Sequence, residues 1–228
     1  MSQHHVLQHY LREIGVHTPI SLLFEHPQET ALPDNDVASI QPPQPETSNL
    51  KTLAEQAAQC EQCSLSQGRS CIVFGDGHEH ADVLLVGEVP STEDSQSQQV
   101  FSGDTAVLLR SMFNTPAFAH IHCYHIPLIK CVTPEHRAPS QDEWSACQIW
   151  LHQQITLIQP KVIVLMGRMA AQTVLQSDQP LRTLHGHWYN YQGIDTWVTY
   201  HPSYLLRAPR QKQVAWSDMQ SILHKLRS

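Results

Sequence analysis

Four of the six cysteines in the chain have a spacing that suits the binding of a metal or a cluster. Cys60 and Cys63 form a Cys-x-x-Cys pair, whose two thiolates can bind one centre, and a closed site then needs two more soft ligands. Cys131 and Cys147, which lie 16 positions apart, can supply them. Zinc and iron–sulfur clusters both accept four thiolates, so these residue types leave both open, with buried free cysteines as the alternative.

The charge of the chain bears on its partners. The chain has 14 Lys and Arg residues against 21 Asp and Glu, which gives a net charge of −7. Residues 1–50 hold one cation and six acids, which leaves a charge of only −2 for residues 51–228. An acidic protein is repelled by phosphate backbones unless its cations are focused on one face, so we expect DNA binding to be weak or indirect.

Length and composition exclude two further classes of protein. With 228 residues, of which 41% are apolar, the chain can bury a core of ordinary size, which excludes a wholly disordered protein. No apolar run approaches the roughly 18 residues that a membrane-spanning helix needs. The N-terminus lacks the basic and apolar regions of a signal peptide, so we expect a cytoplasmic protein.

Alternating strands and helices are predicted for the region that carries the cysteines. Four apolar runs predict β-strands: 81–87, 123–130, 161–167 and 196–200. Four further segments have helical patterns: 105–113, 140–157, 168–175 and 211–226. This alternation predicts an α/β fold, a three-layer sandwich whose mostly parallel central sheet is covered by helices on both faces. The segments that follow the strands are expected to gather at one edge of the sheet and to form the site there.

Three parts are predicted along the chain: an amphipathic docking peptide in residues 1–25, an acidic proline-rich linker in 26–48, and a folded domain in 49–228. The linker has five prolines and no Lys or Arg, a composition that favours an extended backbone. A helix as short as that of the first part is marginal in water, so this arm either folds back onto its own domain or docks into a partner. The residues predicted to dock are apolar: Leu7, Tyr10, Leu11, Ile14, Ile20 and Leu22.

A series of short motifs follows in order between residues 57 and 220. They are Cys60-x-x-Cys63, Val73-Phe74-Gly75-Asp76-Gly77, Gly87-Glu88-Val89-Pro90, Phe101-Ser102-Gly103, Lys130-Cys131, Cys147, Pro160-Lys161-Val162-Ile163, Gly186-His187-Trp188 and His201-Pro202-Ser203-Tyr204-Leu205-Leu206-Arg207. Together they resemble the family 4 uracil-DNA glycosylases, which implies the uracil-DNA glycosylase fold. In that family four cysteines hold a 4Fe–4S cluster. The four that match are Cys60, Cys63, Cys131 and Cys147, so the resemblance favours this cluster over zinc, the runner-up.

The resemblance also implies roles for residues outside the cysteines. Glu88 would orient water or stabilise the sugar cation, and His201 would stabilise the departing uracil anion. Phe101 would stack on the flipped base. The loop that wedges into the duplex would be formed by Leu205, Leu206 and Arg207.

Several positions depart from the family pattern. Ser91 and Gln98 stand where the family has glycines, and two family cations are lost at Val132 and His185. Pro127 replaces the asparagine whose amide reads the edge of uracil. Proline has no side-chain donor or acceptor and no backbone N–H, and a site built on hydrogen bonds to a base loses several orders of discrimination without them. The base pocket, with Ser91, Phe101 and Pro127, is therefore predicted to be impaired.

The N-terminal arm has a resemblance of its own. Residues 6–23 are similar to the N-terminal peptide of the psi accessory subunit of bacterial DNA polymerase III, which implies docking on the clamp loader and a chi-like partner. We therefore expect a catalytically degenerate glycosylase-like protein that acts as an adaptor in DNA replication, with negligible release of uracil. The alternative is an active or altered-specificity uracil-DNA glycosylase in base excision repair.

Overall fold

The computed structural model of the protein describes residues 49–113 and 115–227. The predicted docking peptide and linker, together with the similarity to the psi peptide, lie outside the described residues. No helix in the described ranges is long and apolar enough to cross a membrane.

Six strands and eight α-helices make up the described part of the chain. The strands are β1 (Asp76–Gly77), β2 (Val83–Gly87), β3 (Cys123–Pro127), β4 (Val162–Met166), β5 (Trp188–Tyr191) and β6 (Ile194–Thr199). The helices are α1 (Leu50–Ala58), α2 (Thr92–Ser97), α3 (Gly103–Phe113), α4 (Gln141–Ile158), α5 (Arg168–Val174), α6 (Leu181–Leu184), α7 (Pro202–Arg207) and α8 (Lys212–Arg227). Each of the four predicted strands and four predicted helices is present, with ends that shift by a few residues.

One mixed sheet holds all six strands, in the order β1-β3-β2-β4-β6-β5. The four central strands are parallel, and the two edge strands pair antiparallel with their neighbours. The predicted fold class, an α/β sandwich with a mostly parallel sheet, is confirmed. The edge strands β1 and β5 were not predicted, because they are two and four residues long and contain no continuous apolar run.

The two strands at the centre of the sheet account for the layers. Every residue of β2 and β4 is buried, as expected of parallel strands that are covered on both faces. Successive side chains point to opposite faces, so Leu84 and Ile163 pack with α1 and α4, whereas Leu85 and Val164 pack with α3 and α8. The result is a three-layer arrangement with helices on both faces of the sheet.

The predicted strand 123–130 ends earlier than its apolar run, at Pro127. After this residue the chain turns toward β2, because the backbone N–H of Leu128 donates to the carbonyls of Gly87 and Glu88, each at 3.1 Å. The residues that follow, including Cys131, therefore lie outside the sheet.

Substitution of Leu165 by alanine is expected to test the central position of β4. This side chain has no exposed surface, so the Leu165→Ala variant should lose about 2–5 kcal/mol of unfolding free energy through lost burial and the cavity left behind. Urea denaturation measures this loss. The matched control Val107→Ala removes a side chain that is 55% exposed and should change stability by less than about 0.5 kcal/mol. Equal losses in the two variants would contradict the described core.

Candidate functional site

The carboxyl ends of three parallel strands bring the predicted catalytic residues to one edge of the sheet. Glu88 follows β2 directly, Gly167 follows β4 directly, and His201 lies two residues after β6. Because β2 and β6 flank β4, the two side chains approach each other across Gly167. This edge is where parallel α/β sheets form their sites.

Gly167 makes this approach possible. It has a φ of +99°, a conformation that favours glycine, and a Cβ atom built there would lie 2.5 Å from Glu88 Oε1 and 3.0 Å from the His201 Cβ. A side chain at this position would displace both residues. The glycine therefore fixes how closely the carboxylate and the imidazole can pack.

The Glu88 carboxylate is held by the start of helix α5. Its Oε1 accepts a hydrogen bond from the backbone N–H of Met169 at 3.0 Å, so it caps a helix whose N-cap residue, Gly167, has no side chain to do so. Burial raises the pKa of the Glu88 carboxyl above its ordinary value, while the Met169 N–H and the charge of Arg168 oppose that rise. The carboxylate is thus positioned by the backbone and partly withdrawn from water.

His201 begins helix α7 as its N-cap residue. Its Nδ1 accepts a hydrogen bond from the backbone N–H of Ser203 at 3.3 Å and lies 2.8 Å from the Ser203 hydroxyl. A backbone N–H can only donate, so the proton of the neutral ring resides on Nε2. Burial lowers the pKa of His201 to about 4, against the opposing charge of Asp94. The side chain is therefore a neutral hydrogen-bond donor at neutral pH.

Phe101 contacts two imidazole rings. Its ring centroid is 5.6 Å from that of His201 and 5.8 Å from that of His125, to which it is nearly perpendicular. The tip of the ring packs against the backbone of Gly87, where an added Cβ would approach Phe101 Cζ to 3.1 Å. The predicted stacking residue thus adjoins the predicted catalytic histidine.

Two of the residues that depart from the family pattern define the ends of helix α2. Ser91 caps helix α2 in a reciprocal pair with Asp94: its Oγ accepts the Asp94 N–H at 3.0 Å, and its own N–H donates to Asp94 Oδ2 at 2.8 Å. Gln98 ends that helix with φ 55° and ψ 30°, a left-handed conformation that costs a non-glycine residue about 1–2 kcal/mol. The position therefore demands the conformation that glycine adopts freely, and this chain achieves it with glutamine.

The third departure, Pro127, is buried at the end of β3 opposite Gly87. Its carbonyl accepts a hydrogen bond from Lys130 Nζ at 3.4 Å, and its ring offers no polar group to a base. A polar side chain does lie on the same face of the strand, two residues earlier: His125, whose Nδ1 is 2.8 Å from Asp76 Oδ1. A histidine alternating with buried positions in an apolar run was the available sequence signal, and it was missed.

The three residues predicted to form a DNA-wedge loop lie on a helix instead. Pro202 at the first position and His201 as N-cap begin α7, which ends at Arg207. Leu205 is 1% exposed and packs in the core, so it is not available to enter a duplex. Leu206 is 38% exposed and Arg207 is also exposed, so only these two of the three predicted wedge residues lie at the surface.

The four predicted cluster ligands line a single pocket. Its empty volume, which includes space open to solvent, is about 290 Å³, and its wall comprises Cys60, Cys63, Cys131 and Cys147 together with Arg69, Lys130 and apolar residues of α1 and α4. Arg69 Nη1 donates to Cys131 Sγ at 3.7 Å, and the Lys130 N–H donates to Cys147 Sγ at 3.4 Å. Sequence elements 87 residues apart thus bring four thiols and two N–H donors to one place.

The donor set of this pocket fits a cluster. Four thiols suit either a zinc ion or an iron–sulfur cluster, and N–H groups directed at the sulfurs are among the features that tune clusters. A single zinc needs all four sulfurs about 2.3 Å from one point. Among the residues that the structure describes, no three His, Cys, Asp or Glu side chains meet closely enough to hold one metal ion.

Comparison with known proteins relates this arrangement to one family. A family model described as the uracil DNA glycosylase superfamily matches residues 74–220. The Type-4 uracil-DNA glycosylase of Sulfurisphaera tokodaii is 28% identical over 183 residues, 76% of this chain and 83% of the relative. That of Thermotoga maritima is 29% identical over 160 residues, 69% and 83% of the two chains. That of Archaeoglobus fulgidus is 27% identical over 182 residues, 76% and 92% of the two chains.

The protonation of His201 gives a test of the site geometry. We expect nitrogen NMR of the full chain to show this ring neutral, with its proton on Nε2, and to titrate near pH 4 because burial disfavours the charged form. The His201→Gln variant assigns the signal. Since the folded-state pKa lies below the ordinary 6.5, this residue stabilises the fold above about pH 6.5, and that contribution is lost as the pH falls toward 4. A midpoint near 6.5, or a proton on Nδ1, would contradict the described contacts.

Proposed function

This chain belongs to the uracil DNA glycosylase superfamily, and from that premise we propose that it removes uracil from DNA by hydrolysing the N-glycosidic bond. The juxtaposition of Glu88, Phe101 and His201 at one edge of the sheet carries the proposal. All three are the residues that the family motifs assign to catalysis and base stacking, and they meet around Gly87 and Gly167. Three relatives named Type-4 uracil-DNA glycosylases support the same function.

The residues of the site have separate tasks in the proposed reaction. The flipped base stacks on Phe101. As the bond between the sugar C1′ and the base nitrogen breaks, the base leaves with the bonding electrons. The Nε2–H of neutral His201 donates to a base oxygen on which this negative charge develops. A neutral donor suits this task, because its hydrogen bond strengthens as the charge grows without giving up the proton.

Glu88 acts on the other product of bond breaking. Its carboxylate stabilises the sugar cation, or orients the water whose oxygen bonds to C1′ and whose released proton neutralises the base anion. The hydrogen bond from Met169 and the charge of Arg168 favour the ionised form that this task requires, against the effect of burial. Both contacts also fix the direction of the carboxylate before substrate binds.

The comparisons favour the glycosylase over the expected adaptor. Two of the departures held against activity, Ser91 and Gln98, form a helix cap and a left-handed turn in this chain. The docking of residues 1–25 on a clamp loader, with a chi-like partner, remains a separate proposal, because it lies outside the described residues. It is compatible with either function, since the arm precedes the glycosylase domain in the chain.

We also propose that Cys60, Cys63, Cys131 and Cys147 hold a 4Fe–4S cluster. The shared pocket and the N–H donors of Arg69 and Lys130 support a group bound by four thiolates, and the resemblance to the Type-4 enzymes favours the cluster over zinc. The bound group would join the loop after α1, the loop after β3 and helix α4 into one unit, which is a structural task. Lys130, whose Nζ donates to the Pro127 carbonyl, connects this unit to the end of β3 near the base site.

Release of uracil tests the proposed function. We expect the full-length protein to release uracil from single- or double-stranded DNA, leaving an abasic site that alkali cleaves. The His201→Leu variant should lower the single-turnover rate by about 10²–10³-fold, because leucine has no donor for the departing base. The matched control His224→Leu changes an exposed histidine of α8 and should leave the rate unchanged. Absence of release from both substrates would reverse the proposal and favour the adaptor.

Metal analysis tests the cluster. Protein purified without oxygen should be brown and contain about four iron and four sulfide ions per chain. The Cys131→Ala variant should lose both iron and colour, whereas the Cys71→Ser control, which changes a thiol outside the pocket, should keep them. A colourless wild-type protein with one zinc per chain would contradict the cluster assignment but would still agree with a metal site formed by the four cysteines.

A further inference from the structure

One face of strand β3 points toward the base site and carries a histidine that is paired with an aspartate. Tyr124 and Ile126 are buried in the core on the opposite face. Alternation along the strand therefore directs His125 and Pro127 to the same side of the sheet. The ring centroid of His125 lies 5.8 Å from that of Phe101, and the two rings are nearly perpendicular. On this face of β3, His125 is thus the polar side chain nearest to Pro127, which stands where the family has asparagine.

Asp76 holds this imidazole in place from the neighbouring strand. The two residues are direct partners in the β1–β3 pairing, and Asp76 Oδ1 lies 2.8 Å from His125 Nδ1. The other oxygen, Oδ2, accepts the backbone N–H of Val100, the residue before Phe101, at 2.9 Å. One carboxylate therefore fixes both the imidazole and the segment that carries the stacking ring.

These contacts determine which groups His125 offers. Burial alone would raise the pKa of Asp76, but its hydrogen bonds with His125 and Val100 lower it below the ordinary value, so this carboxyl is ionised at neutral pH. An ionised carboxylate only accepts hydrogen bonds, so the proton of the neutral imidazole lies on Nδ1. The Nε2 atom of His125 then presents a lone pair. His201 has the opposite tautomer, so the two rings beside Phe101 offer one acceptor and one donor.

We propose that His125 is the base-reading residue of this site, in place of the asparagine side chain that is absent at Pro127. Its Nε2 accepts the imino N–H of a flipped base, while His201 donates to a ring carbonyl oxygen. The inference rests on the proposed function and names its substrate class. The bases accepted are those with an imino N–H beside a carbonyl, such as uracil and hypoxanthine. Cytosine presents a lone pair at that position and would leave the Nε2 acceptor unpaired.

A single acceptor should discriminate less strongly than an amide. An asparagine side chain pairs with an imino N–H and a carbonyl together, whereas the imidazole pairs with the imino N–H alone. Leaving one buried acceptor unpaired corresponds to a preference on the order of 10–100-fold in affinity. The site is therefore expected to distinguish uracil from cytosine modestly, and to treat uracil and hypoxanthine alike at this contact.

Binding of uncleavable DNA separates this inference from the chemistry. Single-stranded oligonucleotides that carry one 2′-fluoro nucleotide, with uracil, hypoxanthine or cytosine as its base, are compared with an abasic analogue by fluorescence anisotropy at one salt concentration. The full-length protein should bind the uracil and hypoxanthine strands about 10–100-fold more tightly than the cytosine strand. The His125→Leu variant should lose this preference and bind the abasic strand unchanged. His122→Leu, which changes an exposed histidine just before β3, is the matched control.

The outcomes distinguish the inference from the proposed function. If the wild type releases uracil and His125→Leu keeps the full preference for uracil over cytosine, the inference is overturned and the function stands. If the wild type releases no base but shows a preference that His125→Leu abolishes, base reading stands and the proposed reaction fails. If the wild type shows no preference among bases, the inference is wrong whatever the rate.

A second measurement covers the case in which His125→Leu does not fold. In the wild-type protein, the Nε2 signal of His125 should move in the direction of hydrogen-bond acceptance when the uracil strand is added, and should stay in place with the abasic strand. The His125→Gln variant, which keeps an acceptor, should retain part of the preference. A Nε2 signal that responds equally to both strands would mean that His125 only anchors β1.

Discussion

The absence of a side chain at Gly167 is the constraint on which the site depends. Parallel strands bring Glu88 and His201 to the same edge of the sheet, but only a residue without Cβ lets both pack against the end of the strand between them. The same glycine leaves the start of α5 without a side-chain cap, and Glu88 supplies it. A side chain at position 167 would therefore displace Glu88, and with it both the cap of α5 and the direction of the carboxylate.

A large part of the fold could be predicted from local pattern. The continuous apolar runs of β2 and β4 predict buried parallel strands, and these strands set the edge at which the site forms. The short edge strands could not be predicted, because a two-residue strand such as β1 exists only through its partner. The position of α7 could not be predicted either, because it depends on long-range packing. Leu205 is buried by α3 and α8, so the segment interpreted as a loop is a helix, and of the three predicted wedge residues only Leu206 and Arg207 lie at its surface.

The candidate site, too, could be predicted only in part from the sequence, and the rest depends on long-range contacts. Motifs identified Glu88, Phe101 and His201, and the structure brings them together. The effect of a substitution could not be judged from residue type. Ser91 and Gln98 look like losses beside a family glycine, yet one closes a capping box and the other adopts the left-handed turn. The role offered by His125 depends on Asp76, which is 49 positions away and reaches it only through strand pairing.

A flipped base that binds on Phe101, beside His125 and His201, is what the proposed reaction requires. A crystal structure of the full-length protein with a strand carrying 2′-fluoro-deoxyuridine shows whether it does. We expect uracil stacked on Phe101, with a base oxygen within about 3 Å of His201 Nε2 and the Glu88 carboxylate facing the sugar. Uracil bound at another surface, or a strand whose uracil stays unflipped while DNA occupies the α7 face, would contradict it.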